Sequence, residues 1–159
     1  MAYLIDGNNL LGHLAPGESR GPESRHGLMA RLLTFQRLTR RRIILVFDGP
    51  PDDDLERLKL GRKFEVLFPP PGAKADDVIQ ERLSLPFDRR AFFVVSSDRE
   101  VGTQARSRGA AVMKCDEFER ELKKVMKKAR QERELAKNLE FPTPLETRLW
   151  LDLFRGDRR

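Results

Sequence analysis

The chain has 159 residues, one cysteine and 35% charged residues, and carries a net charge of +6. That length fits one domain able to bury a core without staples. The lone Cys115 excludes an intrachain disulfide framework and a CxxC zinc site, which points to a reducing cytoplasm. A basic balance, with pI about 9.8, points to a polyanionic partner, nucleic acid first.

The first apolar run, Ala2–Ile5, predicts a short buried strand that ends in Asp6. It is too short for a membrane helix, and no basic segment precedes it, so neither a membrane span nor a secretory leader is expected. "HLAPGESRGPESRHG" (13–27) is rich in Gly, Pro and Ser and predicts a long loop carrying Arg20 and Arg25. In "LMARLLTFQRLTRRR", Leu28, Leu32, Phe35 and Leu38 recur at helical spacing. "IILVFDG" (43–49) is a β-branched apolar run closed by Asp48, as in a strand buried on both faces of a parallel sheet.

"PPDDDLERLKLGR" predicts a turn and a short polar segment. "FEVLF" (64–68) predicts a strand stopped by three prolines. "GAKADDVIQERLSL" predicts a loop leading into a helix. "AFFVVSSD" (91–98) is a further strand ending in an aspartate. "REVGTQARSRG" predicts a short helix closed by Gly109, and "AAVMK" (110–114) the last strand. A long charged helix is expected from Asp116 to about Asn138, with Asp116 and Glu119 as a capping box. "EFPTP" then breaks the helix before a final amphipathic one at 145–155, where Leu149, Trp150, Leu153 and Phe154 make a packing face. The alternation of strand and helix predicts an α/β sandwich around a mostly parallel sheet.

In open parallel sheets, ligands bind beyond the carboxyl ends of the strands. Asp6, Asp48 and Asp98 end three strands there, and "KADD" adds Asp76 and Asp77 at a helix start. Each has a structural reading: a turn for Asp6 and Asp48, an N-cap for Asp98, a helix-dipole role for one of the adjacent pair. Together they read as a site, because carboxylates on one edge repel each other unless a cation joins them. Without histidine or cysteine donors, that cation is Mg2+ or Mn2+.

"LIDGNNLLG", "ILVFDG", "KADDVI" and "VVSSDREV", in this order and spacing, resemble the YacP-like branch of the NYN domain family of PIN-like bacterial ribonucleases. The resemblance covers about 2–122, and the basic C-terminal helix is in keeping with it. It implies a PIN-like three-layer α/β/α sandwich with a mostly parallel central sheet and a C-terminal helical extension. The domain division it implies is a nuclease domain at 1–122 and a basic extension at 123–159 packed on it. It also implies a Mg2+- or Mn2+-dependent endoribonuclease acting on RNA, mRNA in particular, with the ribosome as a partner of some relatives.

By its motifs, Asp6, Asp76 and Asp98 would hold the metal. Asp77, Asp48, Asn8 and Ser96 would complete the catalytic group. Some relatives carry another acid where this chain has Gly102, which leaves two alternatives: a two-metal site completed by the substrate phosphate, or one tightly held metal. Metal-activated water predicts 5′-phosphate products. Arg20, Arg25, Lys74 and Arg99, with Arg106 and Arg108 nearby, are the residues expected to draw in the polyanion; aromatic stacking platforms are not evident. Lys123, Lys124, Lys127, Lys128 and Arg130 on the long helix read either as an RNA surface or as an exposed face of i,i+4 pairs. The rival function is a catalytically silent RNA- or ribosome-binding module. A haloacid-dehalogenase phosphatase is disfavoured, because Gly7 and Asn8 follow Asp6 where that chemistry needs D-x-D.

Overall fold

The structure is a computed structural model and describes residues 1–14, 22–53 and 60–140. The elements run β1 (Ala2–Asp6), α1 (Gly7–Leu14), α2 (Pro22–Thr39), β2 (Arg42–Val46), β3 (Phe64–Leu67), α3 (Ala75–Ser84), β4 (Phe92–Val95), α4 (Arg99–Ser107), β5 (Ala111–Met113) and α5 (Cys115–Glu140). All four strand pairings are parallel, and the sheet order is β3-β2-β1-β4-β5. The chain therefore builds outward from β1 through β2 to β3, then returns to the other side of β1 for β4 and β5. The carboxyl ends of β1 and β4 flank the point where that direction reverses, the place where open α/β sheets form crevices.

Successive strand residues face opposite sides of the sheet, so a strand buried on both faces must be apolar throughout. Leu4, Ile44, Val46 and Val94 meet α3 and α4 through Val78, Ile79, Leu83, Val101 and Ala105. On the other side, Tyr3 packs against Phe35 of α2, Phe93 of β4 and Phe118 of α5, with ring centroids 5.4–6.0 Å apart. Two helical layers thus enclose one sheet, as expected. α4 closes on Gly109 (φ 85°), with the Gly109 N–H bonded to Arg106 O and the Ala110 N–H to Ala105 O. That pair of bonds is a Schellman closure.

Three local expectations are corrected. The loop expected at 13–27 is cut back at both ends, with 15–21 outside the described residues: His13 and Leu14 finish α1, and α2 already begins at Pro22, a residue whose fixed φ and missing N–H suit the first helical position. Leu38 is 43% exposed and does not join Leu28, Leu32 and Phe35 in the core; Met29 does. α5 starts at Cys115, so Asp116 lies inside it rather than capping it. The Glu117 carboxylate accepts the Lys114 N–H at 3.0 Å, while Asp116 pairs with Arg120 at 3.1 Å and Glu119 with His13 at 2.9 Å. Arg20, the polar segment at 54–59, and the C-terminal break and helix with Trp150 lie outside the described residues.

The chain divides into two compact units, 1–123 and 124–159. In the described part of the second, α5 carries the i,i+4 pairs Lys128–Glu132 and Arg130–Glu134, all four side chains exposed. Pairs of this kind contribute little to stability. Among the described residues no helix is long and apolar enough to cross a membrane.

Candidate active site

β1 runs into α1 without a loop. Asp6 is both the last strand residue and the cap of the helix: its Oδ1 accepts the Asn9 N–H at 3.2 Å. Its Oδ2 accepts the Ser96 hydroxyl at 3.4 Å, and the Ser96 oxygen in turn accepts the Asp98 N–H at 3.1 Å. Asp98 caps α4, with Oδ1 accepting both the Glu100 and Val101 N–H groups. A carboxylate has two oxygens and about four acceptor positions, so capping through one oxygen orients the other without exhausting it. The structural and functional readings of Asp6 and Asp98 therefore coexist.

The adjacent pair separates by role. Asp77 Oδ2 accepts the Lys74 N–H at 2.8 Å and secures the first turn of α3. Asp76 turns the other way and stands in the field of Asp98, Glu100 and Asp48. Burial, then those charges and that of Asp77, raise its pKa. Asp6 is 7% exposed; burial first, and the charges of Asp76 and Asp98 after it, lift its pKa from 3.8 to about 6, against the opposing bonds from Asn9 and Ser96. Asp6, Asp76 and Asp98 thus share one edge and one unfavourable field.

Asn8 and Asp48 lock the neighbouring strand end. Asn8 Oδ1 accepts the Asp48 N–H at 3.2 Å, and Asp48 Oδ1 accepts the Ala75 N–H at 3.1 Å. Asp48 consequently fixes the start of α3, from which Asp76 projects. Arg25 is not a loop residue reaching for substrate. It lies on α2, 9% exposed, over the rings of Phe47 and Phe68 at 5.3 and 5.8 Å. It donates to the Asp48 carbonyl, to Pro50 O at 3.4 Å and to Asp52 at 3.2 Å. Arg25→Met should cost about 2 kcal/mol in urea unfolding, since Asp52 and two carbonyls lose their donor. An unchanged unfolding midpoint would remove Arg25 from this ordering role. Lys74 and Arg99 are exposed beside Asp76 and Asp98.

Three contributors were missed in the sequence. Asn9 Oδ1 accepts the Ser97 N–H at 2.8 Å and the Cys115 thiol at 3.1 Å, tying the β4 end to the start of α5. Ser97 Oγ accepts the Cys115 N–H at 3.0 Å. Glu100 adds to the field on Asp76. Only the second asparagine of "DGNN" gave a signal for any of them.

The donors at this edge are oxygens, which suit a hard cation such as Mg2+ or Mn2+ in kind. Among the described residues no three Asp, Glu, His or Cys side chains close tightly enough to hold a metal ion between them. Asp6, Asp76 and Asp98 therefore stand as an open set of oxygen donors and not as a closed cage.

The sequence model of the YacP-like NYN domain matches residues 3–149. Two crystal structures of Rae1 (YacP) from Bacillus subtilis are similar to this fold. One, a tryptophan-to-leucine mutant, has 25% identity and a TM-score of 0.68, over 98% of this chain and 96% of that one. The other has 21% identity and a TM-score of 0.69, over 98% and 92%. No curated protein sequence matches the chain. With 147 consecutive residues inside the family's own pattern, and the same fold over nearly the full chain, the protein belongs to the YacP-like NYN domain family.

Proposed function

We propose that the chain is a metal-dependent endoribonuclease that hydrolyses RNA phosphodiesters, mRNA on the ribosome among them. Membership of the family supports a ribonuclease-type activity with RNA as substrate. The observation that carries the reading is the shared field of Asp6, Asp76 and Asp98 at the β1/β4 switch point. Such mutual repulsion is unfavourable in a structural role and useful in one that receives a cation.

Asp6, Asp76 and Asp98 would hold Mg2+ or Mn2+. When bound, the ion supplies an acidified water and charge neutralisation at the phosphoryl oxygens. The chain's own residues do the positioning. Ser96 and the two helix caps orient Asp6 and Asp98. Asp48 and Asn8 fix the start of α3, and Asp77 holds its first turn so that Asp76 faces the site. Lys74 and Arg99 meet the flanking phosphates. Charge on the basic extension at 123–159, in the exposed Lys124 and Lys127 for example, would add long-range attraction for RNA or a ribosomal surface. A reducing cytoplasm suits the buried Cys115 thiol.

Purified protein should cut a single-stranded RNA internally, leaving 5′-phosphate ends, with Mn2+ or Mg2+. Cutting should cease in EDTA and fall about a thousandfold in Asp98→Asn. Association should weaken steeply as salt rises. One observation favours a silent binding module instead: Gly102 lies beside Val112 and the Arg106 guanidinium and supplies no further carboxylate. RNA binding without cleavage, on naked RNA and on translating ribosomes alike, would decide for that module.

A further inference from the structure

We propose that the proline-walled groove beside Asp48 and Lys74 is a subsite for one unpaired base of the RNA; this rests on the ribonuclease reading above. The groove is formed by 49–51, after β2, and 69–73, after β3, and its volume is about 240 Å3. Both of its loops are joined directly to residues of the acidic edge. Gly49 follows Asp48, Ala73 precedes Lys74, and the Asp48–Ala75 bond ties the two loops at their base.

Five of the eight lining residues are prolines, which have no N–H to donate. A phosphate would find few donors there, whereas the flat apolar face of a base would find prolines on both walls. Lys74 follows the last lining residue, Ala73, and is exposed, so it offers a cation to the adjoining phosphate. A cleft this small takes a single ring system and not a duplex, so the base must be unpaired. The prolines thereby supply the stacking surface that the aromatic residues do not; Phe47 and Phe68 lie stacked on each other, with centroids 5.9 Å apart.

The walls are also preformed. Proline fixes φ at five positions, and Gly49 and Gly72 make the turns at φ 81° and 85°. Arg25 clamps the first wall through the carbonyls of Asp48 and Pro50 and through Asp52. A base seated there would meet little ordering cost.

The test is abasic scanning of a cleavable single-stranded RNA. Omitting the base seated in the groove should lower wild-type kcat/KM about tenfold, mostly through KM, as expected for one lost stacking contact. Ala73→Leu, which fills the groove, should lower kcat/KM on intact RNA by a similar factor and make the enzyme indifferent to that abasic position. In parallel, the same RNA carrying 4-thiouridine is crosslinked to the wild-type protein without added metal, and adducts are mapped by mass spectrometry. Adducts at 49–51 or 69–73 support the groove whether or not Ala73→Leu folds. A flat abasic scan with adducts only elsewhere overturns the groove and leaves the ribonuclease standing. Adducts in the groove without metal-dependent cleavage, of this RNA and of RNA on translating ribosomes alike, overturn the ribonuclease and keep the subsite.

Discussion

Asp6→Asn is expected to lose about a thousandfold in cleavage rate and yet to unfold at a higher urea concentration than wild type at pH 7.5. Folded Asp6 titrates near 6 and an unfolded aspartate at 3.8, so the unfolded chain gives up this proton first as pH rises. Stability therefore falls between about pH 4 and pH 6. The difference of roughly 2 pH units corresponds to about 3 kcal/mol against the folded state at neutral pH. Below pH 4 both states carry the proton and the burden disappears. An asparagine mimics the protonated acid at every pH, and its oxygen can still accept from Asn9 or Ser96. The variant should accordingly gain about 1–3 kcal/mol at pH 7.5 in EDTA and nothing at pH 4. Mn2+ should raise the midpoint of wild type at pH 7.5 and leave the variant unmoved. A variant weaker than wild type at both pH values would mean that Asp6 is a structural cap and no more.

The strands and their acidic ends were legible because two signals coincide there. A strand buried on both faces is apolar along its length, so the first acid after "AYLI" or "IILVF" marks where the sheet stops. The parallel sheet then brings those ends to one edge. What escaped depends on contacts that sequence spacing does not encode. The stretch around Pro22 has the composition of a loop, yet it folds as helix because Leu28, Met29, Leu32 and Phe35 extend a buried face that the preceding turn continues. Arg25 looked like a substrate ligand because nothing nearby shows that Phe47 and Phe68, 22 and 43 residues away, will receive it. The capping acid of α5 was misplaced by two residues for a related reason: Glu117 and Glu119 are equally plausible in sequence, and the buried Cys115 and Phe118 choose between them by setting where the helix meets the core.

Gly7 carries the second large expected effect. The strand-to-helix turn brings it so close to β2 that an added Cβ would lie 2.7 Å from two ring carbons of Phe47 and 2.8 Å from the Val46 carbonyl. Neither neighbour can yield cheaply. Phe47 is fully buried, stacked on Phe68 and covered by Arg25, and Val46 is held in register opposite Asp6. Gly7→Ala should therefore cost about 3 kcal/mol in urea unfolding, at the upper end for overpacking. Activity should fall with it, because relief of the clash must move Asp6 or Asn8 on either side. Gly27→Ala is the matched comparison: Gly27 lies within α2 with nothing among the described residues within 4 Å of its Cβ position. That substitution should stabilise by about 0.5–1 kcal/mol through helix propensity alone and leave cleavage unchanged. If both alanines behave alike, the close approach of β2 to the first turn of α1 is not what requires a glycine in "DGNN". If they diverge as expected, the glycine is there because the carboxylate before it and the asparagine after it must sit against β2, where they hold the site together.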